Sequence, residues 1–228
     1  MNRTKVIQAW LNRFPHPTYL EIGVEFGLSF TPIRAERKIG VDPRIRMPRL
    51  LKRICERRAR ETHYFELTSD RFFAEHADMI QTTGVDVALI DGMHTYEQSI
   101  VDVENVLRFL NDNGLIVLHD CNPQSAATAC PATSYADFRK AHRWRFFWCG
   151  DVWKTIVHLR STRPDLNVLV LDCDFGLGIV RRAPADGLLD YSPEAIRQMS
   201  YSDMARDRER ILNLKKPDYF RSHLLPSP

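Results

Sequence analysis

Residues 85–123, VDVALIDGMHTYEQSIVDVENVLRFLNDNGLIVLHDCNP, decide the fold of this chain. Val85 to Ile90 is a short apolar run rich in β-branched residues, which is typical of a buried parallel strand. Thr95, with a glutamine three residues on, has the pattern of a capping box, and apolar residues then recur at spacings of three and four, so a helix follows. That helix is predicted to end at Asn113–Gly114, and Leu115 to Leu118 then forms a second buried strand.

Each of the two strands ends on polar side chains. Asp91 and His94 follow the first strand, and His119 and Asp120 follow the second. Parallel strands joined by a helix bring their carboxyl ends to one edge of the sheet, where neighbouring strands lie about 4.8 Å apart. We therefore expect these four side chains to converge on one reacting group or ion.

The composition is that of an ordinary globular protein of 228 residues. A net charge of +3 is too small to indicate a nucleic-acid partner by itself. The five cysteines include no CxxC pair, and their odd number favours reduced thiols over a disulfide framework. The N-terminus lacks a signal-peptide core, and no stretch approaches a membrane span. We expect a cytoplasmic protein.

Strands and helices alternate along most of the chain. Five strand–helix units followed by a terminal hairpin predict an α/β protein with a Rossmann-like, seven-stranded sheet whose last strand is antiparallel, with helices on both faces. The sequence DFGLG, starting at Asp174, is the predicted hairpin connection. We expect one domain over residues 1–228, with a core at 18–182, a lid at 121–149 and extra C-terminal helices at 186–228.

A glycine-containing motif, LEIGVEFG at residues 20–27, lies where the first strand is expected to meet the first helix. A glycine at this point lets a ligand approach the backbone closely at a helix N-terminus. The spacing ExGxxxG, which differs from GxGxxG, disfavours a pyrophosphate-binding loop. Asp42 is suited to accept hydrogen bonds from ribose hydroxyls, Glu21 from an amino group and Asp70 from an adenine amine. The combination favours S-adenosylmethionine (SAM), although the two glycines alone could equally serve tight strand–helix packing.

Four segments, LEIGVEFG, GVDP, DGMHTYE and NGLIVLHD, resemble in order and spacing the class I SAM-dependent methyltransferases over residues 18–182. They are most similar to the branch of macrocin O-methyltransferases and cephalosporin-hydroxylase-like proteins, which act on sugars and other small molecules in natural-product or glycan pathways. The resemblance implies that the cofactor is bound by Glu21, Gly23, Gly27, Asp42, Ser69 and Asp70. We also expect Ser29 and Asp91 to contact it, Asp91 at the methionine portion.

The resemblance also implies a catalytic centre. In metal-dependent members, an Asp after strand four and a Glu–Asp pair after strand five bind magnesium, and a histidine three residues after the first Asp is the general base. The matching positions here are Asp91, His119–Asp120 and His94, so Asp91, His119 and Asp120 are the implied metal ligands. His119 replaces the glutamate of that pattern, and an imidazole suits manganese, iron or zinc better than magnesium.

His94 is the predicted general base, with Asp91 as the second catalytic residue. It precedes a helix N-terminus, where the helix dipole disfavours the imidazolium form, so a neutral ring can accept a proton from an acceptor hydroxyl. The alternative is that His94 only hydrogen-bonds the backbone of its corner.

The sequence thus predicts a SAM-dependent methyltransferase that O-methylates a hydroxyl of a sugar or another natural-product small molecule, with or without a divalent metal (Mg, Mn, Fe or Zn). N-methylation, metal-assisted hydroxylation and a non-catalytic binding or scaffolding role stay open. A basic run at 34–60 is more typical of a solvated helix face than of an RNA site. The C-terminal helices could cover the active site or pair two copies in a homo-oligomer. The aromatic segment 144–148 could stack on an acceptor or belong to the core.

Overall fold

The computed structural model describes residues 1–132, 134–143 and 147–225. Its strands are β1 (Thr18–Ile22), β2 (Arg37–Val41), β3 (Glu61–Phe65), β4 (Val85–Ile90), β5 (Leu110–Leu118), β6 (Leu166–Leu171), β7 (Leu177–Arg182) and β8 (Leu214–Lys215).

The helices are α1 (Arg3–Leu11), α2 (Arg49–Glu56), α3 (Ser69–Glu75), α4 (Asp78–Gln81), α5 (Tyr96–Leu107), α6 (Tyr135–Ala141), α7 (Trp153–Thr162), α8 (Pro193–Gln198), α9 (Tyr201–Arg206) and α10 (Arg208–Leu212), followed by a π-helical turn at Phe220–Leu224. Within the described ranges, no helix combines the length and the apolar character that crossing a membrane requires.

The sheet has the strand order β3-β2-β1-β4-β5-β7-β6-β8. Strand β1 pairs in parallel with β2 and β4, and β2 pairs in parallel with β3. Strand β7 runs antiparallel to β6, so the predicted α/β sheet with an antiparallel seventh strand is confirmed. The eighth strand was not predicted: β8 consists of only two residues, and it pairs in parallel with Val170 and Leu171 of β6.

The chain divides into two compact units. The first, which we call the glycine-loop unit, comprises Asn2–Gly92 and Val101–Val117; the second, the histidine unit, comprises Met1, Met93–Ile100 and the described part of Leu118–Pro228. In the glycine-loop unit, β1 and β4 are buried along their whole length, as their apolar runs predict. The single domain over 1–228 with its core, lid and extension stays a prediction.

The helix expected directly after β1 is absent. The segment 23–36 forms turns and bends, with no helix before β2 begins. Gly23, Glu25 and Gly27 all have positive φ angles, of 93°, 40° and 71°, and residues in this left-handed region cannot continue a right-handed helix. The expectation that a ligand meets a helix N-terminus at this loop is therefore wrong.

The boundary between α5 and β5 also differs from the prediction. Helix α5 ends at Leu107, and β5 begins three residues later, at Leu110. Asn113–Gly114 therefore lies inside the strand and does not end the helix. The backbone N–H of Phe109 donates to Val106 O and its carbonyl accepts from Val85 N, so a tight turn directly precedes the strand.

The predicted lid contains a short helix, α6. Residues 133 and 144–146 lie outside the described residues, so only Phe147 and Trp148 of the predicted aromatic segment are described. Trp148 is buried, whereas Phe147 is exposed. Of the two described residues of this segment, Trp148 belongs to the core and Phe147 lies on the surface.

Candidate active site

Glu21 lies fully buried on β1, where it holds the turn segment that follows the strand. Its Oε1 accepts a hydrogen bond of 2.6 Å from Ser29 Oγ, and its Oε2 accepts one from the Tyr19 hydroxyl. Burial raises the pKa of Glu21 to about 7, although the hydrogen bonds from Ser29 and Tyr19 act in the opposite direction. Both carboxylate oxygens therefore serve the protein itself, which makes Glu21 a residue that positions the loop.

The glycines of the motif permit close packing of the backbone. A Cβ on Gly23 would lie 1.9 Å from the carbonyl oxygen of Asp91, and one on Gly27 would lie 2.0 Å from the Cε of Met47. Both residues also have positive φ angles. Protein atoms alone account for the two glycines, so their role toward a ligand stays a prediction.

Asp42 follows β2 and faces the same loop. Its Oδ2 accepts from Glu25 N at 2.9 Å, and its Oδ1 accepts from Arg44 N at 2.7 Å. A carboxylate offers about four lone-pair positions, so these two bonds leave acceptor capacity for hydroxyl groups. The location of Asp42 is consistent with the predicted ribose contact.

Lys38 holds the segment that follows β1, a role that was not predicted. The side chain is buried on β2, and its Nζ donates to Phe30 O at 2.6 Å and to Ile33 O at 3.0 Å. Burial lowers the pKa of this ammonium group. The available signal was a lysine directly before the apolar residues of β2, because a buried charge needs partners inside the protein.

The remaining predicted cofactor residues lie at two other strand ends of the glycine-loop unit. Ser69 is buried and Asp70 is exposed in the first turn of α3, where an acidic side chain is favourable for the helix dipole. Asp91 follows β4, and its carboxylate forms an ion pair with Arg3. That partner, which stands on α1, could not have been located from sequence spacing.

The geometry of His94 defines which of its nitrogens can act as a base. Its Nδ1 lies 2.8 Å from the backbone oxygen of Trp148. A carbonyl can only accept, so Nδ1 carries the proton, and in the neutral ring Nε2 carries the lone pair. Nε2 lies 3.4 Å from Oδ2 of Asp120. The carboxylate of Asp120 therefore faces the nitrogen that carries the lone pair.

The segment 148–151 holds this corner at three points. Besides accepting from His94, Trp148 stacks its ring on the imidazole at a centroid distance of 4.9 Å. Gly150, with φ +61°, approaches so closely that a Cβ would lie 1.8 Å from His94 O. Asp151 Oδ1 accepts from Tyr96 N at 2.8 Å and thus caps α5, together with Thr95, whose Oγ1 accepts from Gln98 N. This segment fixes the ring orientation and the tautomer.

His119 and Asp120 form a buried pair at the end of β5. His119 Nδ1 lies 2.8 Å from Asp120 Oδ2, and its Nε2 lies 3.6 Å from Oδ1 of Asp174 in the β6–β7 turn. His119 orients the Asp120 carboxylate, and its predicted metal ligation stays a prediction. This contact of Asp174 was not predicted, because the sequence does not show which strand end a turn residue faces.

A metal ion fits the pair formed by His94 and Asp120. Two ligand atoms that each lie about 2.1 Å from a metal, at an angle of roughly 110°, are about 3.4 Å apart. This equals the distance between His94 Nε2 and Asp120 Oδ2. A mixed nitrogen and oxygen donor set suits zinc, manganese or iron better than magnesium.

The structure thus groups the predicted residues by unit. His94, His119 and Asp120 lie together in the histidine unit, and Glu21, Gly23, Ser29 and Asp42 lie around one loop of the glycine-loop unit. Asp91 belongs to the second group, where Gly23 packs on its backbone. The predicted convergence of Asp91 with His94, His119 and Asp120 stays a prediction.

Residues 20–121 match a family model described as a methyltransferase domain. No protein among the curated sequences matches the chain. Two solved structures share the fold. A putative O-methyltransferase from Klebsiella pneumoniae is 11% identical, with 79% of each chain covered and a TM-score of 0.53. Cofactor-bound Rv0187 from MTB is 14% identical, with 80% of this chain and 81% of that chain covered and a TM-score of 0.51.

Residues 20–121 thus match a methyltransferase domain, and the sheet has the methyltransferase-type order that the sequence predicts.

Proposed function

We propose that the enzyme O-methylates a hydroxyl of a sugar or another natural-product small molecule, with His94 as general base. The observation that supports this most directly is the bond between His94 Nδ1 and Trp148 O, which places the basic lone pair on Nε2. A side chain with this tautomer can take a hydroxyl proton without prior rearrangement.

In the proposed reaction, the acceptor oxygen attacks the methyl carbon of SAM as the carbon–sulfur bond breaks. The acceptor proton passes to His94 Nε2, and the products are a methyl ether and S-adenosylhomocysteine. The imidazolium that forms lies 3.4 Å from the Asp120 carboxylate, which stabilises its charge. His119, bonded to the same carboxylate at 2.8 Å, keeps Asp120 oriented.

We propose that the methyl donor is bound by the glycine-loop unit, through Asp42, Gly23, Gly27 and the start of α3 at Ser69 and Asp70. Glu21 and Ser29 support this site by fixing the loop, since their side chains bond each other at 2.6 Å. Asp91 lies next to Gly23 and stays the proposed contact to the methionine portion of the cofactor.

A divalent metal, if bound, would be held by His94 and Asp120, with Asp91 as a further ligand proposed from the sequence. It would occupy the lone pair of His94 Nε2, so it is an alternative to His94 acting as the general base. Such an ion would act as a Lewis acid that lowers the pKa of a coordinated acceptor hydroxyl. His119 would orient Asp120 in either case, because its Nδ1 contacts that carboxylate.

The test is a transfer assay with methyl-labelled SAM against a panel of glycan and natural-product precursors, with and without EDTA. We expect label in a methyl ether for the wild-type enzyme. His94→Ala should lose turnover at least 100-fold while binding of SAM in calorimetry stays unchanged. The control is His16→Ala, which changes an exposed histidine.

Near-normal turnover in His94→Ala would refute the base assignment. Label on nitrogen would identify an N-methyltransferase, and an oxidised acceptor without label would identify a hydroxylase. The predicted cytoplasmic location and homo-oligomer belong to the same proposal and depend on the sequence alone.

A further inference from the structure

Two exposed aromatic rings lie side by side in the histidine unit. The Phe147 and Phe175 residues are 61% and 38% exposed, and their ring centroids are 5.0 Å apart at an interplanar angle of 34°. Single exposed apolar residues are common, but large apolar side chains that are exposed together tend to mark binding surfaces.

The β6–β7 turn fixes Phe175 against the residues that follow β5. The carbonyl of Phe175 accepts from Asn122 N at 2.9 Å, and the neighbouring carbonyl of Gly176 accepts from Cys121 N at 3.0 Å. A Cβ on Gly176 would lie 2.3 Å from Asn122 N, so the contact between turn and loop is close. Phe175 is therefore held next to the segment that carries His119 and Asp120.

The backbone of this turn adopts an unusual conformation at two residues. Asp174 and Phe175 have φ angles of +49° and +62°, in the left-handed region that side chains other than glycine rarely adopt. Strain of this kind persists where the surrounding structure enforces it, and it is concentrated at functional sites. The Phe175 ring meets the His119 ring edge-on at 5.9 Å.

The charges beside the platform restrict what can bind there. Asp174 lies within the same turn, 3.6 Å from His119 Nε2, and Asp120 lies on the other side of that imidazole. Two carboxylates repel an anionic ligand. An uncharged aromatic ring can stack on the phenylalanines without this repulsion.

We propose that Phe147 and Phe175 form the acceptor-binding platform, and that the acceptor is an uncharged aromatic alcohol, such as a phenol on a fused ring. This inference rests on the proposed O-methyltransferase function and narrows its substrate class. The ring of the acceptor packs on the platform, and its hydroxyl is the group that His94 deprotonates.

The experiment measures binding of 2-naphthol by calorimetry, with and without saturating S-adenosylhomocysteine. Phe147→Ala and Phe175→Leu should each raise the dissociation constant about tenfold, the effect of losing one ring contact. The control variant is Leu188→Ala, which removes an equally exposed aliphatic side chain (54%) and should leave the constant unchanged. The charged analogue 6-hydroxy-2-naphthoate and the non-aromatic methyl glucoside should bind the wild-type protein at least about tenfold more weakly than 2-naphthol.

An unchanged dissociation constant in both phenylalanine variants would overturn the inference, as would equal affinity for the naphthoate or the glucoside. Absence of 2-naphthol binding in both conditions would overturn it as well. Failure of the wild-type protein to bind S-adenosylhomocysteine would instead refute the proposed function, so the two failures can be told apart.

Discussion

The proposed reactivity of His94 as a base depends on one backbone carbonyl and one carboxylate. The carbonyl of Trp148 selects the tautomer, and Asp120 faces the nitrogen that the tautomer leaves basic. The carbonyl alone fixes the proton on Nδ1, and the carboxylate stabilises the charge that forms when Nε2 accepts a second proton. The pair gives the ring one direction for proton transfer.

Asp120→Asn tests the carboxylate. The amide keeps the shape of the side chain but not its charge, so the imidazolium formed during transfer loses its counter-charge. We expect kcat to fall about 10- to 100-fold, with SAM affinity unchanged. Steady-state kinetics and calorimetry measure the two quantities. Asp137→Asn, a change of a half-buried acid on α6 that pairs with Lys140, is the control and should leave kcat unchanged. An unaltered kcat in Asp120→Asn would show that the carboxylate has no part in the proton transfer.

Glu21 makes stability depend on pH. Its pKa is about 7 in the folded protein and 4.5 in the unfolded chain, so the folded state binds more protons between these values. Stability should therefore fall as the pH rises from 4.5 to 7, by about 3 kcal/mol from this group. The loss is complete about one pH unit above the folded-state pKa.

Glu21→Gln should remove this slope, since an amide does not titrate in the range. Urea unfolding at pH 5, 6, 7 and 8 measures it, with the exposed Glu56→Gln as the control that keeps the wild-type slope. A slope that survives in Glu21→Gln would assign the pH dependence to other groups.

At the scale of elements, the corner before α5 is the structure most sensitive to a single methyl group. Gly150→Ala places a Cβ 1.8 Å from His94 O, at φ +61°. We expect it to lower the free energy of unfolding by roughly 3 kcal/mol and to reduce kcat, because the overlap shifts the base. Urea unfolding and turnover measure both effects.

Gly187→Ala is the matched control. Gly187 also has a left-handed φ, of +75°, but its Cβ would meet nothing nearer than an Arg160 nitrogen at 4.0 Å. It should show only the backbone strain, about 1 kcal/mol, with normal kcat. Equal losses in the two variants would mean that contact with His94 is unimportant.

Much of the fold follows from local pattern, and the exceptions have physical causes. Mostly apolar runs predicted β1, β4 and β6, because a strand that is buried along its whole length is mainly apolar. The helix after β1 was predicted wrongly, because nothing in the sequence shows that Glu25 adopts a positive φ. Strand β8 forms only through pairing with β6, so its two residues carry no signal of their own.

The candidate site shows the same division. Asp91, His94, His119 and Asp120 could be named because strand ends in a parallel sheet are predictable places for polar groups. Trp148, whose carbonyl selects the tautomer, lies 54 residues from His94 in the chain, and Lys38 acts through carbonyls that any residue carries. A contact to a backbone carbonyl cannot be predicted from the type of the residue that provides it, because every residue has one.

At the scale of the whole molecule, the two sets of residues lie in different compact units. The glycine-loop unit has the loop supported by Glu21 and Asp42, and the histidine unit has the proposed base. We therefore expect binding of the methyl donor and loss of the proposed base to be separable by mutation.

Ligand-linked stability provides the final prediction. A ligand that binds only the folded protein stabilises it by about 2.7 kcal/mol at 100 times its dissociation constant. We expect S-adenosylhomocysteine to do so in the wild-type protein and in His94→Ala, whereas Asp42→Ala should show less than half of the effect at the same concentration. Denaturant unfolding with and without the ligand measures it. Full stabilisation of Asp42→Ala would refute the ribose contact, and loss of stabilisation in His94→Ala would show that the base and the cofactor site are not separable.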